Sequence, residues 1–147
     1  YRMASGQCYF PSEAFRSSLI DAGLNRTIHP SGGGRAVSAR ATLMQNVFTE
    51  DAPAPLEDPQ TGSPIMEYAI DSRRAVVQKQ GILRSRPRFE KWATRITFEY
   101  EPEVLSPDVI TELFTIAGTR VAVGELRARG VNGKGGPYGK FSVERIG

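Results

Sequence analysis

Thr94-Arg95-Ile96-Thr97-Phe98-Glu99-Tyr100 leads, after a short acidic connection, into Ser106-Pro107-Asp108-Val109-Ile110-Thr111-Glu112-Leu113-Phe114-Thr115-Ile116-Ala117-Gly118. The first stretch alternates. Ile96, Phe98 and Tyr100 point one way and Arg95, Thr97 and Glu99 the other, the period of a half-buried strand. The second stretch opens with an N-cap serine, a proline suited to the first turn and an aspartate suited to the positive helix end. Ile110, Leu113, Phe114 and Ala117 then form one apolar stripe at helical spacing, and Gly118 is the expected stop. A strand followed by a helix that packs on it predicts a mixed α and β domain.

Upstream, Pro11 and Ser12 are start signals and Gly23 a stop signal, which predicts a helix over Ser12–Ala22 with Phe15, Leu19 and Ala22 on its inner face. Asn25–Gly34 reads as a loop. Val37, Ala39, Ala41 and Leu43 alternate with Ser38, Arg40, Thr42 and Met44, which predicts a strand within Ala36–Phe48. Residues 50–64 form a Pro-rich acidic loop with prolines at 53, 55, 59 and 64. Short strands are expected at Met66–Ile70 and Arg74–Leu83, and a last one at Phe141 and Val143. The order fits one domain over residues 1–147, α+β and ferredoxin-like (split βαβ). An antiparallel sheet would carry two helices on one face and a C-terminal Gly-rich loop. Its first strand is expected near Gln7–Phe10 or upstream. Tyr1-Arg2-Met3 does not read as an initiation site, so a preceding segment is expected.

The chain has 147 residues, 39% hydrophobic and 24% charged, with one Cys and one His. One Cys makes neither an internal disulfide nor a Cys-based zinc site, and the acids from Glu50 to Asp71 lack regular metal-ligand spacing; neither a metal nor a cofactor is expected. No charged-then-apolar leader opens the chain and no apolar run approaches a membrane span, so no membrane partner is expected. Cys8, beside Tyr9 and Phe10, reads as a small buried residue.

The net charge of +3 conceals segregation. From Glu50 to Asp71 there are six acids and no base. From Arg73 to Arg95 stand Arg73, Arg74, Lys79, Arg84, Arg86, Arg88, Lys91 and Arg95 against Glu90 alone, a net +7. Arginine dominates, which favours bidentate phosphate contact and stacking on bases. A second basic run holds Arg127, Arg129, Lys134 and Lys140 around the glycines of 124–139, whose backbone N–H groups are able to approach an anion. It lacks the Walker spacing. Trp92 and Tyr138 are stacking candidates, whereas Phe89 reads as a core residue.

Arg127-Ala128-Arg129-Gly130, followed by Gly133-Lys134-Gly135-Gly136-Pro137-Tyr138-Gly139-Lys140-Phe141, resembles the terminal Gly-rich loop of the RAMP superfamily, CRISPR-associated RNA-binding proteins of ferredoxin-like fold. Phe10-Pro11-Ser12-Glu13-Ala14-Phe15-Arg16-Ser17-Ser18-Leu19 is similar to the start of the first helix in their backbone subunits. From Cys8 to Val143 the chain also resembles a family of phage-encoded proteins with an Arg-Pro-Arg-Phe segment like Arg86–Phe89, a nearby Trp like Trp92 and a Gly-Pro-Tyr-Gly ending. The resemblance implies binding of RNA or single-stranded DNA, as a homo-oligomer or in a multi-subunit complex, in the cytoplasm of a bacterial host.

The expected function is therefore non-catalytic binding of RNA or single-stranded DNA by Arg73, Arg74, Arg84, Arg86, Arg88, Lys91, Arg127, Arg129, Lys134 and Lys140, with Trp92 and Tyr138 stacking. One alternative is a phage structural or interaction module that self-associates through its acidic and basic segments. Another is a metal-independent RNA endonuclease with His29 as general base, in a loop near Arg26 and Arg35, which would hold phosphate.

Overall fold

The computed structural model describes residues 1–50, 52–124, 127 and 136–146. Along them run β1 (Tyr9–Pro11), α1 (Ser12–Ala22), β2 (Thr27–Ile28), β3 (Val37–Ser38), α2 (Ala39–Asn46), β4 (Val47–Thr49), β5 (Pro53–Pro55), β6 (Ala69–Val77), β7 (Gln80–Arg88), β8 (Phe98–Tyr100) and α3 (Pro107–Ile116). The class is α+β. The described strands pair as two-stranded sheets, β1 with β5, β2 with β3, β4 with β8 and β6 with β7, not as one four-stranded sheet. Apart from β6 and β7 they are two or three residues long, too short to support a wide ladder. The chain divides into two compact units, the smaller of Tyr1–Phe10 and Pro53–Arg95, the larger of Pro11–Ala52 and Ile96–Gly147.

The larger unit is built on α1 and α3. Pro11 holds the extended N-cap conformation of α1, and Ser12 Oγ donates to the Ala52 carbonyl at 2.7 Å. The Ser106 hydroxyl accepts the Val109 N–H at 3.3 Å, so the expected cap of α3 forms. Leu19, Ile20, Ile28, Ala39, Leu43, Val47, Leu105, Ile110 and Leu113 make the core. Phe114 meets Phe98 edge-on at 5.2 Å between ring centroids.

Four local expectations are corrected here. The strand predicted within Ala36–Phe48 is largely helix: the Ser38 hydroxyl accepts the Ala41 N–H and caps α2. Ala39, Thr42 and Leu43 are its buried residues, a helical spacing that the alternating pattern also contains. Gly118 does not stop α3, which widens into a π turn over Ala117–Val121. Phe141–Ile146 forms no strand; the Phe141 N–H donates to the Gly118 carbonyl at 3.1 Å and its ring packs 5.2 Å from that of Phe114. The predicted Thr94–Tyr100 strand is shorter, Phe98–Tyr100, antiparallel to β4.

The smaller unit makes the Pro-rich stretch part of its scaffold. Cys8, Ala54 and Leu56 are buried. The Cys8 N–H donates to Ile65, the Leu56 N–H to Cys8 and the Ile65 N–H to Leu56, at 2.8, 2.9 and 2.9 Å. Glu57 and Ala93 exchange backbone hydrogen bonds of 2.9 and 2.8 Å. From this scaffold β6 and β7 extend as one hairpin.

Candidate nucleic-acid interface

Nine residue pairs hold β6 against β7, from Ala69 opposite Arg88 to Val77 opposite Gln80. Gln78 and Lys79 form the two-residue turn, with φ of 49° and 66°. Two positive φ values at the central positions are those of a type I′ turn, whose twist suits a tight hairpin. Of the strand expected at Met66–Ile70 only Ala69 and Ile70 belong to β6, and the one expected at Arg74–Leu83 runs across the end of β6, the turn and the start of β7.

Directly paired residues share a face, and neighbours along a strand alternate. The register therefore sorts the side chains. One face carries Asp71, Arg73, Ala75 and Val77 with Gln80, Ile82, Arg84, Arg86 and Arg88. The other carries Ile70, Ser72, Arg74 and Val76 with Gly81, Leu83, Ser85 and Pro87. The Ser72 and Ser85 hydroxyls meet at 2.7 Å, as this pairing requires. β7 is exposed along its whole length, and β6 at every position except Asp71 and Ala75.

Four of the predicted arginines, Arg73, Arg84, Arg86 and Arg88, thus converge on one exposed face. Arg84, Arg86 and Arg88 follow one another about 7 Å apart, roughly twice the 3.4 Å rise per nucleotide of a stacked strand. Arg73 lies opposite Arg84, an arrangement that costs stability because like charges face each other. Asp71 offsets part of this, with its Oδ2 2.7 Å from Arg73 Nε. Arg88 reaches Glu90 at 3.3 Å. Arg74 falls on the opposite face. Asp71 was not singled out by the sequence; its place beside Arg73 and opposite Arg86 follows only from the register.

The remaining candidates divide. Lys91 is exposed just beyond the ribbon. Trp92 is half-buried, its ring tilted on Phe10 at 5.9 Å, which leaves part of it for stacking. Phe89 is half-buried and packs edge-on against the exposed Tyr68 at 6.1 Å; it is not among the buried core residues, contrary to the expected core role. In the larger unit, Arg127 is half-buried with its guanidinium 3.9 Å from Asp21, Tyr138 is 42% exposed and bridges Arg127 through its backbone, and Lys140 is exposed. Arg129 and Lys134 lie outside the described residues, as does the centre of the Gly-rich loop.

His29 is exposed after β2, and no described hydrogen bond or ion pair joins its ring to another side chain. Among the described residues no group of three His, Cys, Asp or Glu side chains is placed to hold a metal ion. No helix among them is long and apolar enough to cross a membrane. The chain matches no protein-family model, no curated protein and no solved structure.

Proposed function

We propose that the chain binds RNA or single-stranded DNA, without chemistry of its own, through the arginine face of the β6–β7 ribbon. One observation carries the reading: Arg73, Arg84, Arg86 and Arg88 line the same exposed face, with Arg73 opposite Arg84. Crowded guanidinium groups repel one another, and a polyanion laid along them converts that repulsion into binding energy. Arg127, Tyr138 and Lys140 of the larger unit are secondary contacts in this reading, and so are Arg74, Lys91 and Trp92 of the smaller one. The ferredoxin-like expectation draws its support from the packing of α1 and α3 in one core beside the β4–β8 pair. The setting we propose is the cytoplasm of a bacterial host, with a phage or CRISPR-related origin and assembly with further copies or subunits.

A second reading has its own support. A two-stranded ribbon fits the major groove of duplex DNA, about 12 Å wide. Fluorescence anisotropy with labelled single-stranded RNA, single-stranded DNA and duplex DNA, each over a salt series, separates the two. A single-strand preference, with a log–log salt slope of about −0.7 per neutralised phosphate, is the expected result. Reversal of Arg84, Arg86 and Arg88 to Glu is expected to abolish most of the binding and flatten the slope while the fold persists. Unchanged binding by that variant would remove the ribbon as the site.

A further inference from the structure

The ribbon's second face and one of its edges stand unexplained by nucleic-acid binding. Ile70, Val76 and Leu83, all on the face opposite the four arginines, are 70%, 75% and 75% exposed. A lone two-stranded hairpin is marginal in water, and stability normally needs a third strand or a covering layer.

The turn says which backbone groups are open. A two-residue loop closes on a hydrogen-bonded pair, here Val77 with Gln80. The ladder then uses alternate residues, so the N–H and C=O of Ile70, Ser72, Arg74 and Val76 point away from β7. Among the described residues no backbone hydrogen bond from outside the ribbon engages them. On β7 the outward row is Gly81, Leu83, Ser85 and Pro87, and Pro87 has no N–H to offer. The β7 edge is therefore blunted in the way proteins protect sheet edges, and the β6 edge is not.

We infer that the open edge of β6 pairs antiparallel with the same edge of a second copy of this chain, joining two ribbons into a four-stranded sheet about a twofold axis. The sequence of β6 fits itself in one register. With the axis at Arg73, Ile70 stands opposite the partner's Val76 and Ser72 opposite the partner's Arg74. Apolar groups then meet on the second face, and the outward rows exchange about eight hydrogen bonds. On the arginine face Arg73 meets the partner's Arg73, and Asp71 lies diagonal to it, so carboxylates flank the central guanidinium pair. Shifting the axis to Ser72 sets Ile70 against the partner's Arg74, and shifting it to Arg74 sets Arg74 against its own copy on a face that carries no acid to flank the pair. The association is isologous and closed, as a twofold interface must be. It does not depend on nucleic acid binding to the arginine face.

The test uses the full chain, freed of nucleic acid by nuclease and high salt. Sedimentation equilibrium is expected to give a dimer that persists at high salt, whereas assembly through opposite charges would dissociate there. Arg73→Cys is expected to form an intermolecular disulfide, because non-hydrogen-bonded antiparallel partners bring Cα atoms to about 4.5 Å, within disulfide reach. Cys8, the only native cysteine, is buried. Ile70→Lys and Val76→Glu are each expected to weaken the dimer about tenfold or more, and the double variant to restore it by two symmetric Lys–Glu pairs. Within one ribbon these positions are about 20 Å apart, so restoration reports the intermolecular pair alone. Both sites are exposed, and circular dichroism checks that the single variants fold. A monomer at high micromolar concentration, or an Arg73→Cys variant that stays reduced while the chain is dimeric, would overturn the inference. So would a double variant no more dimeric than the singles.

Discussion

The Oδ2 of Asp71 lies 2.7 Å from Nε of Arg73, and the same carboxylate stands across the ladder from Arg86. This carboxylate thus sits among the four arginines of the ribbon's charged face. It limits their mutual repulsion and competes with any incoming phosphate for the same guanidinium groups.

Asp71→Asn should therefore strengthen binding of single-stranded nucleic acid. The carboxylate is partly exposed, so the gain is modest, about 0.5–1 kcal/mol or roughly two- to fivefold in Kd. Anisotropy titration at low salt measures it, and the advantage should shrink as salt rises. Weaker binding by the Asn variant would mean that Asp71 orients Arg73 more than it competes for it.

The turn of the ribbon is strained by its residue types. Gln78 and Lys79 both hold positive φ, where Asn-Gly is the favoured pair. Replacing them by Asn and Gly should stabilise the hairpin by about 1–2 kcal/mol. Hydrogen exchange at the ladder amides of Arg73, Ala75, Ile82 and Arg84 reads the effect directly, as about tenfold slower exchange. Unaltered exchange would place the weak point of the ribbon at its base, near Tyr68 and Phe89.

That strain also accounts for what the sequence conceals. Helices α1 and α3 are legible because their start signals and apolar period agree, at Pro11-Ser12 with Phe15 and Leu19 and at Ser106-Pro107 with Ile110 and Leu113. Helix α2 is not, because Ala39 and Leu43 satisfy both a period of two and a period near four. The basic segment is visible as composition, but its geometry is not. That Arg73, Arg84, Arg86 and Arg88 share a face while Arg74 does not depends on the register, and the register depends on a turn that carries neither Gly nor Asn. The adjacent pairs Val76-Val77 and Ile82-Leu83 further blur the alternation that would have marked two strands.

Gly118 tests the closure of the larger unit. A Cβ there would collide with the Phe141 carbonyl oxygen, and the Gly118 carbonyl accepts the Phe141 N–H. Phe141 in turn packs against Phe15 and Phe114 with ring centroids 5.7 and 5.2 Å away. Gly118→Ala must push that segment off the core and should cost about 2–4 kcal/mol in thermal or denaturant unfolding. Gly81→Ala is the contrast. Its Cβ would meet only Arg74 Nε at 3.8 Å, an ordinary contact, so unfolding should shift little. Equal losses at the two positions would discount the close approach at Gly118.

The smaller unit should carry an acid-sensitive turn at Asp58. Its Oδ1 accepts the N–H groups of Thr61 at 3.0 Å and Gln60 at 2.8 Å, and these bonds hold the carboxyl below its ordinary value, with a lesser contribution from Lys91. A lowered folded-state pKa means that the ionised form is the one the turn favours. The turn's contribution is then complete above the ordinary aspartate range, near pH 3.9, and is lost as pH falls through the lower folded value. NMR titration of the Gln60 and Thr61 amides should show a midpoint below that range. Asp58→Asn keeps an acceptor oxygen and should abolish the titration while preserving the turn, which closes through the Asp58 N–H to Ser63 at 2.8 Å. Asp58→Ala should loosen those amides at every pH. A midpoint at or above the ordinary value would show that the carboxylate is not the acceptor that shapes the turn.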